Sequence, residues 1–404
     1  MAIKRRVVIT GLGAVTSIGI GKGEFWSNLL KGKYGISQVS SFDTTNHFTH
    51  FGGEVKIFKA EDFIPKEWLK LHSRASHLAF VAAKLAINDA NLSQGDISTV
   101  RVGVCIGTTM GSVHAIEEID ENLLKNKEID RDLMRQLPTH TTPAMIAREV
   151  KLDGPNFMFS TACSAGNYAI GYGYDLIRLN RAEITVVGAS DPFARSAFTG
   201  FNQLSAVAPE KCQPFDKNRK GMMLAEGAGI LTLETLDHAL KRNANIYAEV
   251  SGYGLSCDAR HMTQPSIEGI SQCMIKAMRE AGIEKKEIDY ISAHGTGTQA
   301  NDKTECAAIK ELFGLLSKKI PISSIKSMLG HTMGAASALE AIACALAIQN
   351  DIIPPTINFE TTDPECDIDC VPNQARRHVV NVALNNSYAF GGNNACLVLR
   401  KFTH

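Results

Sequence analysis

An α/β fold is expected from three observations. Short apolar runs rich in β-forming residues alternate with segments of helical periodicity along the whole chain. A composition of 44% hydrophobic and only 21% charged residues over 404 positions supplies a core larger than one ordinary domain needs. No low-complexity linker interrupts the alternation.

Residues 7–10 open the chain as a strand. Lys4, Arg5 and Arg6 precede VVITGLGAV, but the apolar run is short and Gly-interrupted, and GKGEFW follows without a cleavage site, which argues against an export signal. GLGAVTSIG is not a nucleotide loop: Thr16 stands where the dinucleotide fingerprint needs glycine, and Gly21-Lys22 is followed by Gly23. No nucleotide cofactor is expected. Further strands fall at 102–106, 184–187, 229–233, 246–253, 290–293 and 396–399, with helices at 74–90 and 269–280. Segments rich in Pro and Asp at 208–221 and 352–373 read as long functional or covering loops.

The longest apolar run, 335–348, contains Glu340 and falls short of the ~20 residues of a membrane span. Basic and acidic residues balance at 42 each, so neither nucleic acid nor an anionic membrane is expected as a bulk partner. Ten cysteines lie without framework spacing, which suits a reducing cytoplasm and a soluble chain. Cys366 and Cys370 have no second pair of ligands nearby, so no metal is expected.

Three distant stretches carry chemistry. TACSAGN follows an apolar run at 156–162 and precedes a small-residue helix at 164–179, which places Cys163 at a strand-to-helix junction. Unsatisfied N–H groups and the helix dipole favour a thiolate there. A lone cysteine is usually a core residue; Ser164, Ala165 and Gly166, small enough to let another molecule reach the backbone, favour a nucleophile. In AHGTGT, a buried strand ends in His294, and the hydroxyls of Thr296 and Thr298 can bond a polar ligand arm. KSMLGHTMGAA presents His331 ahead of an Ala-rich helix at 334–349. One thiol and two imidazoles are what a site needs to form a thioester and then to generate and hold a carbanion.

On these residues the chain resembles elongating β-ketoacyl-[acyl-carrier-protein] synthases of the synthase II type, condensing enzymes of the thiolase-like superfamily. The likeness runs through RRVVITGLGAVTSIG, TACSAG, AEGAGILTLE, HGTGTQANDKTE, KSMLGHTMGAA and NNSYAFGGNNACLVL, in the family's order and over almost all 404 residues.

The resemblance implies an α/β thiolase-like αβαβα layering of two pseudo-symmetric halves, 1–250 with the nucleophile and 251–404 with both histidines. A faint echo agrees, since Cys163 and His331 each precede a small-residue helix. It implies decarboxylative Claisen condensation of an acyl chain on Cys163 with malonyl-acyl-carrier protein, in fatty-acid elongation. The alternative is the ketosynthase of a type II polyketide or polyene pathway with a non-catalytic partner subunit. A homodimer, or a heterodimer in that alternative, is implied, with acyl-carrier protein as partner and no cofactor.

Residue by residue, the family's roles fall as follows. The N–H groups of Cys163 and Phe390 form the oxyanion hole, and His294 and His331 donate to the enolate. Lys326 and Glu305 act as a supporting pair. Thr263, Thr296 and Thr298 hold the phosphopantetheine arm, Phe390 beside Gly391 and Gly392 is the gate, and Phe201 and Met110 border the acyl pocket. Lys66, Lys70 and Arg74, at helical spacing, are candidates for docking the acidic carrier.

Ala389, Asn393, Ser73, Met222 and Ala225 depart from the family's usual residues, none of them at the thiol or the imidazoles. A degradative thiolase would carry a second catalytic cysteine, and a synthase III type would have asparagine for His331. A non-catalytic partner would have lost Cys163, and a cysteine hydrolase has no use for two enolate-binding histidines.

Overall fold

The computed structural model describes residues 5–403, so Lys4 lies outside the described residues. The first strand, β1, runs Val7–Thr16, well beyond the expected 7–10. Gly11 and Gly13 continue it because helix α1 (Arg74–Asp89) lies directly on them. A Cβ at either glycine would meet the Ala86 or Ala82 carbonyl oxygen at 2.0 Å.

The remaining main strands are β2 (Val102–Gly107), β3 (Asn156–Phe159), β4 (Ile184–Asp191), β5 (Gly227–Thr235), β6 (Ala248–Cys257), β7 (Tyr290–Ser292), β8 (Ile322–Ser323), β9 (Val382–Tyr388) and β10 (Asn393–Arg400). They form one sheet in the order β8-β7-β9-β10-β6-β1-β5-β4-β2-β3, with Gly19–Ile20 folded back on β1. The order is a palindrome about the antiparallel β6–β1 contact. Outward from β1 the pairings are antiparallel, antiparallel, parallel, parallel. Outward from β6 they are the same. Residue 250 lies inside β6, which pairs with both β1 and β10.

Four more helices matter: α2 (Ala165–Arg178), α3 (Ile267–Ala281), α4 (Gln299–Phe313) and α5 (Ala335–Asn350). Helix α1 covers β1 and β5 from outside, and α3 covers β6 and β10. Between the half-sheets lie α2 and α5, in contact with each other and with strands of both halves. Outer helix, half-sheet, central helix pair, half-sheet and outer helix make the αβαβα layering. Residues 335–348 of α5 are all buried, including Glu340, which is why that helix is apolar all round.

The small residues after Cys163 are explained by this packing. The Gly166 N–H donates to the Gly334 carbonyl at 3.2 Å, and a Cβ at Gly166 would sit 2.7 Å from the Ala338 nitrogen. What comes close to that backbone is α5 of the same chain, not a visiting molecule, which corrects the sequence expectation.

Candidate active site

The turn that carries Cys163 starts where β3 ends. Ala162 takes a left-handed conformation (φ 49°), and Ala162–Ser164 form a single 3₁₀ turn that runs into α2. This reversal places Cys163, 7% exposed, at the head of the central helix pair. The amide N–H groups of Cys163 itself and of Phe390 are directed at its sulfur. Ser387 Oγ donates to the Cys163 carbonyl at 3.0 Å, which ties the turn to the end of β9.

Burial is the dominant influence on this thiol and pushes it up to about 12, against the Lys326 charge; the Asp191 charge adds to the rise and the two N–H groups oppose it. Desolvation thus works against the expected thiolate and outweighs the donors around the sulfur.

His294 follows β7, on the loop leading into α4. Both Glu305 oxygens accept from that loop, from the His294 N–H at 2.9 Å and the Gly295 N–H at 2.8 Å. Gly295 (φ 36°) faces Ser324 so closely that a Cβ would lie 2.7 Å from that side chain. Thr298 caps α4 by accepting from the Asn301 N–H.

His331 follows a one-turn helix (Lys326–Leu329) and the left-handed Gly330. Its N–H donates to the Met223 carbonyl at 2.6 Å, and its Nδ1 accepts from the Met333 N–H at 3.1 Å. An Nδ1 that accepts carries no proton, so Nε2 of His331 is the N–H donor. The two imidazole rings meet edge to face, with centroids 5.5 Å apart and an interplanar angle of 83°. Burial, and behind it the Lys326 charge, holds both well below the ordinary histidine value. Both are neutral at physiological pH.

Lys326 is buried, and its Nζ donates to the His294 carbonyl at 2.6 Å and to Glu340 Oε1. Lys326 thus forms its ion pair with Glu340, while Lys326 and Glu305 hold the His294 loop from opposite ends of the peptide group that joins His294 to Gly295. Burial raises both carboxyls to about 7; Lys326 opposes the rise at Glu340, and the two N–H bonds oppose it at Glu305. In the sequence Glu340 stood only as a charge interrupting an apolar run. That interruption, a carboxylate in a helix buried all round, was the signal that a buried cation awaited it.

Cys163, His294, His331 and Phe390 line one cavity of about 360 Å³, a size suited to a small ligand arm. Thr263, Thr296, Thr298 and Phe201 also line it. Thr296 and Thr298 hydroxyls lie 3.0 Å apart, and the Phe201 and Phe390 rings stack at a tilt with centroids 5.7 Å apart. Met110 is outside this lining. Its N–H, together with Thr109 N–H, Thr108 Oγ1 and the Gly334 N–H, donates to the buried Asp191 carboxylate. Asp191, which the sequence reading missed, straps that loop to the start of α5; burial raises its carboxyl to about 6 against those four donors.

The carrier-docking candidates divide. Lys66 and Lys70 are exposed, but a separate short helix (Lys66–Leu69) carries the first, and Arg74 begins α1. Arg74 forks onto Glu226, Nε to Oε2 at 2.7 Å and Nη2 to Oε1 at 2.6 Å. Its charge is satisfied inside the fold, which corrects its assignment to a docking stripe.

Several departures have local reasons. Ser73 caps α1 by accepting from the Ser76 N–H. Ala225 packs against Gly53 and Gly330, where a Cβ at either glycine would lie 2.6 Å or 3.1 Å from its methyl group. Ala389 is extended (φ −121°), so the start of the Phe390 loop has no need of glycine. Gly391 and Gly392 are left-handed, both at φ 78°, and a Cβ at Gly392 would meet Asp258 at 2.7 Å.

Comparison with known proteins bears on this geometry. Residues 4–239 match the beta-ketoacyl synthase N-terminal domain and residues 247–360 the beta-ketoacyl synthase C-terminal domain. The chain belongs to the beta-ketoacyl synthase family. It is 39% identical to a 3-oxoacyl-[acyl-carrier-protein] synthase 2 of Synechocystis sp., over 99% of each chain. Among solved structures, the ishigamide ketosynthase/chain length factor superimposes with a TM-score of 0.96 at 44% identity, covering 99% of this chain and 100% of that one. A type II PKS ketosynthase, in complex with its acyl-carrier protein and bound to the hexaketide, gives a TM-score of 0.91 at 35% identity, with the same coverage. Among the described residues no helix is long and apolar enough to cross a membrane.

Proposed function

We propose that the chain lengthens acyl chains by decarboxylative condensation with malonyl-acyl-carrier protein, in fatty-acid elongation. One observation carries this reading: a cysteine with two amide N–H groups aimed at its sulfur shares a single cavity with two neutral imidazoles. Cys163 attacks the carrier thioester, its proton passing through the His294 imidazole to the departing carrier thiol. The Cys163 and Phe390 N–H groups hold the oxyanion. The malonyl thioester then loses CO₂, and His331 Nε2–H, with His294, donates to the enolate oxygen. The enolate carbon attacks the acyl-cysteine, the thiolate leaves, and it recovers a proton from solvent. Lys326 and Glu305 fix the His294 loop, Thr263, Thr296 and Thr298 line the route of the arm, and Phe390 closes the acyl side.

A second reading, a type II polyketide or polyene ketosynthase with a chain-length partner, is favoured by the 44% identity to the ishigamide ketosynthase/chain length factor. Either reading places a second subunit beside the molecule. Strand β3 pairs on one side only, with β2, among the described residues, and Phe157 and Tyr172 beside it are 38% and 37% exposed. This edge suits a dimer contact.

The test separates half-reactions. Cys163→Ala abolishes β-ketoacyl product while malonyl decarboxylation persists. His331→Ala retains acyl transfer to Cys163 and loses decarboxylation by about a hundredfold, as for one lost oxyanion donor. A His331 variant that decarboxylates at the parent rate, or a Cys163 variant that still condenses, refutes the assignment. Intact mass after exposure to a panel of acyl-carrier proteins decides the pathway: loading by saturated chains supports elongation, and loading only by polyenoyl or polyketone chains supports the second reading. Native mass distinguishes a homodimer from a mixed pair.

A further inference from the structure

The catalytic cavity has one fixed charge in its lining. Among the described residues no Asp or Glu side chain lines it, and Lys220 is its only Lys or Arg. Lys220 is exposed and forms no ion pair among the described residues. The preceding Arg219 is unlike it: buried, paired with Asp363, and bonded to the Asp216 carbonyl at 2.9 Å. One cation is thus consumed inside the fold, and the next is left facing the cavity.

The position of Lys220 is set on both sides. The Gly221 N–H donates to the Gly297 carbonyl at 3.0 Å, and Gln299 Nε2 donates to the Arg219 carbonyl at 2.7 Å. Lys220 is therefore pinned beside Thr298. Along that wall burial falls steadily outward: His294 and Thr296 are buried, Thr298 is half-buried, and Gln299 and Lys220 are exposed. Cys163 and the imidazoles sit at the inner end, so Lys220 marks the outer end of the path past the threonine hydroxyls.

We infer that Lys220 binds the phosphodiester of the phosphopantetheine arm as that arm enters the cavity. This rests on the condensing-enzyme reading and adds to it a recognition residue for the carrier-borne substrate. A thioester arm places its sulfur at Cys163, its amides along Thr296 and Thr298, and its only permanent anion outermost. A lone ammonium on a carboxylate-free wall at that end is the complementary charge.

Small thioesters test it: hexanoyl-phosphopantetheine against hexanoyl-pantetheine, which lacks the phosphate, with acylation of Cys163 followed by intact mass. The parent prefers the phosphorylated thioester by about fivefold in kcat/KM, the magnitude of an exposed ion pair, and the preference shrinks as salt is added. In Lys220→Gln the ratio falls to near one; in Lys220→Arg it is retained. A parent with no preference, or a Lys220→Gln variant that keeps it, overturns the inference. So does a variant that loses malonyl decarboxylation equally with malonyl-phosphopantetheine and malonyl-pantetheine, because Lys220 would then bind the malonyl carboxylate. Failure of the parent to load either hexanoyl thioester would instead refute the fatty-acid elongation reading, on which a saturated acyl group depends.

Discussion

Replacing Lys326 by methionine removes the cation from a pair in which each side chain is 1% exposed. Glu340 keeps an Oε2 that already lacks a hydrogen-bond partner, and the His294 carbonyl loses its ammonium donor. Breaking such a buried pair from one side costs about 3–5 kcal/mol. At about 2.1 cal/mol/K of unfolding entropy per residue, ~4 kcal/mol over 404 residues lowers Tm by about 5 °C. The loss depends on pH. Burial raises the Glu340 carboxyl from 4.5 to about 7, with Lys326 opposing the rise, so the variant's carboxyl lies higher still. A carboxyl raised in the folded state contributes stability that is fully present below its unfolded value and lost as pH rises through the folded one. In the parent that loss ends near pH 7, and in Lys326→Met it continues above. The gap between the two therefore widens above about pH 7, by up to about 1.4 kcal/mol per pH unit. Scanning calorimetry of the parent, Lys326→Met and Lys326→Met/Glu340→Leu across this range measures it. The double variant, with both charges gone, recovers most of the loss. A gap that does not change with pH, or a double variant no more stable than the single, refutes the reasoning. Lys326 also helps depress both imidazoles, so in the single variant the acid limb of decarboxylation moves to higher pH.

Phe390→Ala removes an aromatic contact with Phe201 worth about 0.5–1.5 kcal/mol, and slows acylation of Cys163 by about two- to tenfold while affecting malonyl decarboxylation less. An unaltered acylation rate in rapid-quench experiments ends the gating assignment. Arg74→Met leaves Glu226, itself 1% exposed, without its partner and lowers stability by about 2–3 kcal/mol, with carrier-protein affinity unchanged. Charge reversal at Lys66 weakens carrier binding without a change in Tm, and titration calorimetry alongside thermal melts separates the two effects.

Much of the fold was legible because its signals are local. The helices expected at 74–90 and 269–280 are Arg74–Asp89 and Ile267–Ala281, and the strand expected at 184–187 is the core of Ile184–Asp191. Strand β9 escaped notice because NNSY reads as polar loop. Asn385, Asn386 and Ser387 are fully buried, and Asn385 and Ser387 bond to Asn167, the Ser337 carbonyl and the Cys163 carbonyl. A polar strand of this kind is stable only where the partners for its side chains already exist. Arg74 misled for the opposite reason: helical spacing describes one element, and residues 66–74 are two.

The sequence by itself supplied the candidate reactive groups, since a thiol among small residues and two histidines at glycine turns carry their chemistry in their own side chains. It determined the α/β alternation too, because apolar periodicity is a property of consecutive residues. Only the tertiary structure decided the protonation and partnership of those groups. Burial opposes ionisation of Cys163 more than its donors favour it, and His331 presents Nε2–H because the Met333 N–H occupies Nδ1. Lys326 pairs with Glu340 rather than Glu305 because the two Glu305 oxygens are taken by the His294 loop. Solvation and hydrogen-bond geometry depend on atoms brought together from distant positions, and a linear pattern of residue types does not contain those distances.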